Sequence, residues 1–412
     1  MDYRIVKVCR ACGSDKLIKY LDLGIVPLCN SLLDHELQES KSYPIQVLLC
    51  NECHLSQLSI VVNPEIMFSN YLYHSSVSKT FQDHCYGMAV TLKNDFKTCD
   101  HPLVLDIASN DGCLLSQFRE AGFLRLLGVD PAKNFSNPYE DEDDFYRGYQ
   151  SINAFWSEDL AKRYKDVSTQ GASFIIAQNV FGHVDDLNDF LKGVHWFLDP
   201  NGVFVVEVPH LYNLIKNNQF DTIYHEHLSY FLLKPLKLLF KKHGLPIFRV
   251  EEYNIHGGSL RIYASKDVYP EEQSVRDMEY FEDVNGMYSV QTYTHFAERV
   301  EVIKSKFSLM LELLYRTGSK VMGYGASAKG ISLINYCGFK PEYIHSIVDD
   351  TPQKQGKLTP GSLIPIVDSS AFKTTPPNFV ILLAWNFAKE LMSKHPEFKG
   401  TWIVPIPDIK II

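Results

Sequence analysis

The sequence predicts an α/β protein in three parts: a small cysteine-stapled N-terminal module, a central doubly wound α/β domain, and a second, smaller α/β domain at the C-terminal end. Three observations predict it. Two CxxC pairs, Cys9/Cys12 and Cys50/Cys53, lie in the turn-rich first 70 residues. Short apolar runs alternate with amphipathic stretches from His101 to about Ser265. The same alternation restarts at Lys320. A chain of 412 residues is also too long for one ordinary core and suggests roughly two to four domains.

Residues 1–70 read as a metal-binding module. A CxxC turn brings two thiolates onto one face, and two such turns complete a closed tetrahedron of four. Zinc is the expected ion at Cys9, Cys12, Cys50 and Cys53, in a structural role, because no position remains for a reacting water. Its binding energy is then folding energy. His54 adjoins Cys53 as an alternative ligand that four cysteines make unnecessary.

Residues 71–268 read as the central domain. PLVLDIA, LLGVD, FIIAQNV and VFVVEVP have the look of buried parallel strands, and LLSQFREAG and LNDFLKGVHWFL of the helices between them. LDIASNDG, Leu105 to Gly112, runs from an apolar strand through a tight turn into a helix, the usual nucleotide crevice of an open α/β sheet. Asp106 is expected at the strand end, Ser109, Asn110 and Asp111 in the turn, and Gly112 where the backbone approaches a ligand. Asp130, ending the next strand, can accept both ribose hydroxyls of an adenosine. Asn179 and Val180 close the fourth strand toward the same crevice. Ala108 stands where a glycine is common, and the first motif alone leaves dinucleotide and methyl-donor binding evenly matched.

FDTIYHEHLSYF, Phe220 to Phe231, packs Tyr224, His225, Glu226 and His227 among apolar neighbours. Such groups are costly there unless paired or used. Histidine is the natural base near neutral pH, a carboxylate can orient it, and a tyrosine can serve a developing oxyanion. The alternatives are a purely structural His–Glu pair or a metal, although no HExxH-type spacing accompanies the HxH. His183 in NVFGHVDD either faces the same crevice or caps the next helix. In HGGSLR, Arg261 offers a fork to a phosphate, unless the glycines simply mark a bulge.

Residues 269–317 carry helical periodicity and read as a connector, and residues 318–412 as the second α/β domain. There GYGASAKG opens a helix after a strand, exposing backbone N–H groups beside Lys329. The net charge of −9 argues against a nucleic-acid surface. No signal peptide and no membrane-spanning run is expected. Nine cysteines, an odd number, fit thiols and metal ligands in the cytoplasm rather than disulfides.

CRACG, LDLGIVPLCNSLL, FSNYLYHSSVS, LDIASNDG, LGVDPA, NVFGHVDD, DTIYHEHLSYF, HGGSLR and GYGASAKG occur in the order seen in the three-domain sugar C-methyltransferases, which the chain resembles over nearly its whole length. The resemblance implies an N-terminal zinc domain, a central Rossmann-like domain binding S-adenosylmethionine, and a C-terminal Rossmann-like domain. It implies a nucleotide-diphosphate 4-keto-6-deoxysugar as substrate. A base removes the proton at carbon 3, and the enolate takes the methyl group. Carried over, His227 is the base, Glu226 tunes it, Tyr224 assists, and His183 serves the same site. Tyr73, with Tyr71 and His74, is placed near donor and sugar. Asn30, His225, Arg261 and Lys329 are the candidate substrate contacts. Cys29 stands where a smaller residue is frequent. A monomer is expected. The rival readings are an NAD-dependent sugar enzyme, an inactive binding module and a sugar O-methyltransferase.

Overall fold

The three-dimensional structure, a computed structural model, describes residues 2–69, 75–135, 149–167, 171–255, 257–266 and 268–412. The N-terminal module is antiparallel. Strand β1 (Tyr3–Ile5) pairs with β5 (Ile60–Val62), and β2 (Leu17–Pro27), β3 (Ser42–Cys50) and β4 (Ser56–Leu58) form a meander. In β3 the side chains of Tyr43, Ile45, Val47 and Leu49 are buried, the period-two pattern of a strand with one face on a core, and the buried Cys50 ends the strand.

The central sheet contains β6 (Leu103–Ile107), β7 (Arg125–Asp130), β8 (Gln150–Asn153), β9 (Ala172–Gln178), β10 (Leu198–Pro209), β12 (Ile247–Tyr253) and β13 (Ser259–Ala264). Its order is β12-β13-β10-β9-β6-β7-β8. β8, β7, β6, β9 and β10 are parallel, and β13 runs antiparallel between β10 and β12. The chain steps from β6 to β7 and β8, then returns to the other side of β6 as β9. That reversal makes a crevice at the carboxyl ends of β6 and β9. Both faces are covered, which is why these strands read as continuous apolar runs. Leu105, Ile175 and Val206 pack toward helix Leu187–Phe197, while Val104, Ile176 and Val205 pack toward helices Lys79–Asp95 and Cys113–Glu120.

The short strand β11 (Ser229–Tyr230) lies outside that sheet. It pairs antiparallel with β4 and completes the sheet of the N-terminal module, in the order β11-β4-β3-β2. The two parts also share a core: Cys9, Cys50, Cys53 and Leu55 belong to the same apolar cluster as Phe181 and Phe231.

Helices Gln273–Val284 and Val290–Arg316 follow β13. The longer one buries Tyr293, Phe296, Val300, Ile303, Phe307 and Leu311, a stripe at helical spacing. The C-terminal sheet has the order β16-β15-β14-β17-β18-β19, from β14 (Val321–Tyr324), β15 (Ile347–Val348), β16 (Ile366–Val367), β17 (Phe379–Leu382), β18 (Thr401–Val404) and β19 (Lys410–Ile411). All neighbours in it are parallel except β18 and β19. A strap from the N-terminal module reaches this domain: Leu33 and Leu358 exchange backbone hydrogen bonds of 2.9 and 2.8 Å.

Candidate active site

The turn after β6 is tightly wound. Ala108 and Asn110 take left-handed backbone, at φ 61° and 52°, and Gly112 takes φ 77° before helix Cys113–Glu120. A Cβ on Gly112 would stand 2.0 Å from the Tyr149 hydroxyl oxygen, so any other residue needs strained left-handed backbone and a shift of the Tyr149 ring. Asp130 holds the turn: its carboxylate accepts the N–H of Asn110 and of Ala132, each at 2.8 Å. Burial raises its pKa against those two hydrogen bonds. Asp106 lies inside β6 rather than at its end. It is buried, and desolvation with the nearby Asp130 charge pushes its carboxyl well above the usual range. Ser109 is buried against Gly128 of β7.

Asn110 and Asp111 are used by the fold. Asn110 accepts the Ser75 N–H at 3.1 Å, and Asp111 accepts the Ser76 N–H at 3.0 Å and its hydroxyl at 2.6 Å. Across the crevice, Asn179 also takes left-handed backbone, at φ 57°, donating its N–H to the Glu207 carbonyl. Its side-chain oxygen is buried with no protein partner. Val180 leads into the 3-10 turn Phe181–His183. Tyr71, Tyr73 and His74 lie outside the described residues, as does His256.

The segment between the 3-10 turn Phe220–Thr222 and β11 gathers three rings. Tyr224 and His227 lie with ring centres 4.1 Å apart, and His183 meets His227 edge-on at 4.8 Å. The His227 Nδ1–H donates to the Thr222 carbonyl at 2.7 Å. In the neutral ring the lone pair is then on Nε2. Burial pulls the His183 imidazole down to about 4, so it is neutral at pH 7. Glu226 accepts a 2.6 Å hydrogen bond from the Asn30 amide, carried by the strap of the N-terminal module.

Two expected substrate contacts point elsewhere. His225 is 1% exposed, and its Nε2 hydrogen-bonds the Tyr43 carbonyl at 3.2 Å, so it packs into the N-terminal module instead of facing an opening. Arg261 is also 1% exposed. Its nitrogens reach Glu207 at 3.0 Å, the Tyr253 hydroxyl at 2.9 Å and His84 at 2.9 Å. A guanidinium so committed has no fork to present to a phosphate; the HGGSLR glycines misled because they mark the β12–β13 hairpin. Lys329 differs. Its ammonium is buried with no hydrogen-bond partner, 5.2 Å from the Trp385 ring centre. Burial lowers its pKa against the opposing charge of Asp221. Asp221, itself buried, accepts the Trp385 indole N–H at 2.5 Å and keeps one oxygen unpartnered. Asp221 and Trp385 escaped sequence reasoning, because nothing local links residues so far apart.

The sulfurs of Cys9, Cys12, Cys50 and Cys53 all lie within 4.8 Å of one another. Both turns are built alike. Gly13, at φ 80°, donates to the Cys9 carbonyl, and His54, at φ 65°, donates to the Cys50 carbonyl. The His54 ring rests 5.3 Å from Tyr288, away from the sulfurs. Four converging thiols without a carboxylate or open position fit zinc in a closed structural site.

Residues 9–68 match the family model of a putative zinc binding domain, 93–250 that of a methyltransferase domain, and 254–407 that of the C-methyltransferase C-terminal domain. The C-methyltransferase NovU of Streptomyces niveus is 35% identical over 418 residues, spanning 99% of this chain and 97% of that one. The chain belongs to the C-methyltransferase family. Among solved structures, magnesium protoporphyrin IX methyltransferase from Synechocystis PCC 6803 with bound SAH is 14% identical over 44% of this chain and 82% of its own, with a TM-score of 0.34. The CurJ carbon methyltransferase is 14% identical over 46% of this chain and 55% of its own, with a TM-score of 0.35. This C-methyltransferase requires an electrophilic methyl group, which S-adenosylmethionine supplies. The crevice fits that donor: a carboxylate at the end of β7, a tight left-handed turn into a helix after β6, and an unpartnered buried oxygen on Asn179.

Proposed function

We propose that this C-methyltransferase places a methyl group on carbon 3 of a nucleotide-diphosphate 4-keto-deoxysugar through an enolate, with His227 as the base. The observation that carries the reading is the His227 hydrogen bond to the Thr222 carbonyl, which directs the basic nitrogen away from the backbone. The ketone acidifies the neighbouring C–H, and Nε2 of His227 takes that proton. The neutral His183, 4.8 Å away, and the Tyr224 hydroxyl are the donors for the enolate oxygen. Glu226, oriented by Asn30, sets the local charge. Asp130 and Asn179 orient the donor, whose sulfonium supplies the methyl.

The diphosphate belongs beside Lys329, a buried ammonium with no hydrogen-bond partner in the first turn of helix Ala328–Cys337. An NAD-dependent reading of the C-terminal domain is weakened at Asp349. Its carboxylate accepts the N–H of Ala326 at 2.7 Å and of Thr351 at 2.9 Å, as Asp130 does in its own turn, but it also pairs with Lys354 at 3.4 Å, and that ammonium competes with a ribose for the acid. The reading further implies a monomeric cytoplasmic enzyme acting on a small molecule rather than nucleic acid. Among the described residues no helix is long and apolar enough to cross a membrane.

Solvent deuterium exchange into a thymidine-diphosphate 4-keto-6-deoxysugar, without methyl donor, tests the base. Exchange at carbon 3 is expected with the wild type and absent with His227→Asn. Exchange that persists in the variant overturns the assignment. Wild-type methylation of a hydroxyl, with no exchange, turns the reading to O-methylation.

A further inference from the structure

Arg10 lies between the ligands Cys9 and Cys12, yet its side chain points away from them into the protein and is 3% exposed. Its guanidinium donates to the carbonyls of Leu58 at 3.0 Å, Leu228 at 3.2 Å and Ile60 at 3.4 Å, and its Nε stands 3.6 Å from the Asp185 carboxylate. Its own backbone is fixed on both sides: the N–H donates to Gln57 at 2.9 Å, and the carbonyl accepts from Asn188 at 2.8 Å.

Leu228 immediately follows His227, and its N–H donates to the Gly182 carbonyl, next to His183, at 2.7 Å. Asp185 lies two residues beyond His183. One buried cation therefore touches both segments whose histidines meet at 4.8 Å. Its partners are three main-chain carbonyls and, at 3.6 Å, the Asp185 carboxylate, which also pairs with the exposed Arg4. A buried guanidinium with several fixed acceptors resists displacement, because any shift leaves charge and carbonyls unpaired.

We infer that Arg10 is a positioning residue: it ties the metal knuckle to the His183 and His227 segments, so that the four-cysteine site sets the geometry of the histidine pair. The inference rests on the reading of those histidines as the reacting groups, but its test does not. An ¹⁵N-histidine spectrum reports the ring tautomer, with the His227 signal assigned by its loss in His227→Asn.

The wild type is expected to hold His227 as the Nδ1–H tautomer. Arg10→Met, which keeps an apolar stem, is expected to give mixed tautomers and a kcat lower by about 10²-fold, the scale of a misplacement near 1 Å. Zinc content by colorimetry and affinity for S-adenosylhomocysteine are expected to stay unchanged, and Arg10→Lys to restore part of the loss. A single wild-type tautomer in folded, zinc-loaded Arg10→Met overturns the inference. Should that variant not fold, Asp185→Asn decides beside Arg4→Met, because Asp185 also pairs with Arg4: mixed tautomers in Asp185→Asn but not in Arg4→Met support the inference, while a wild-type spectrum in Asp185→Asn, or the same change in both, overturns it. Altered tautomers in Arg10→Met together with retained exchange in His227→Asn would leave Arg10 as the positioning residue and remove His227 as the base.

Discussion

Burial holds His183 and His225 neutral, pulling both imidazoles down to about 4. For His183 this suits a hydrogen-bond donor at neutral pH. For His225, packed on Tyr43, it is a stability term. An unfolded histidine titrates near 6.5 and the folded one near 4, so the unfolded chain takes up protons first as pH falls. The stabilisation is complete above about pH 6.5 and declines as pH falls toward 4. His225→Gln keeps a donor for the Tyr43 carbonyl but cannot titrate. Calorimetric scans between pH 7 and 5 should show a shallower fall in Tm for this variant. Equal slopes would mean that His225 contributes nothing to the acid sensitivity.

The turn between β6 and helix Cys113–Glu120 concentrates left-handed backbone at Ala108, Asn110 and Gly112. Asparagine tolerates this conformation and glycine is indifferent to it, but alanine carries a cost of about 1–2 kcal/mol. Ala108→Gly removes that cost and adds back about 0.5–1 kcal/mol of chain entropy. The variant is expected to be more stable by up to about 1 kcal/mol in chemical denaturation, with affinity for S-adenosylhomocysteine retained. Gly112→Ala is expected to act oppositely: its Cβ collides with Tyr149, and donor affinity should fall at least tenfold, or about 1.4 kcal/mol. Wild-type affinity in Gly112→Ala, read by calorimetry, would place the donor elsewhere.

At the scale of the molecule, the three parts meet around one loop. The strap of the N-terminal module touches Glu226 through Asn30 and the C-terminal domain through Leu33. Zinc removal should therefore act beyond the first module. Hydrogen exchange at Ser229 and Tyr230 is expected to rise sharply when the metal is chelated, because β11 has β4 as its partner. Unchanged protection there would show that the sheet stands without the metal. The α/β alternation, the two cysteine turns and the cluster from Tyr224 to His227 were legible because each is local in sequence. Periodicity marks a strand, CxxC marks a turn, and adjacent ionisable groups mark a costly spot. The Arg10 contacts with Leu228, the Arg261 pairing with Glu207 and His84, and Lys329 beside Asp221 were not legible. Each joins residues brought together only by the order of strands or the docking of domains. Arg261 also shows how a residue type suited to phosphate can be used up by a buried carboxylate.

Strand β11 belongs by sequence to the methyltransferase domain and by hydrogen bonding to the zinc module. The two parts are thus joined by strand pairing as well as by the chain itself. A chimera that takes its first 70 residues from one relative and the remainder from another would have to match Ser229 and Tyr230 to Gln57 and Ser56 across the join. Recombination among these enzymes is thus expected to keep the N-terminal module and the loop before β11 from the same parent, and to exchange more freely elsewhere.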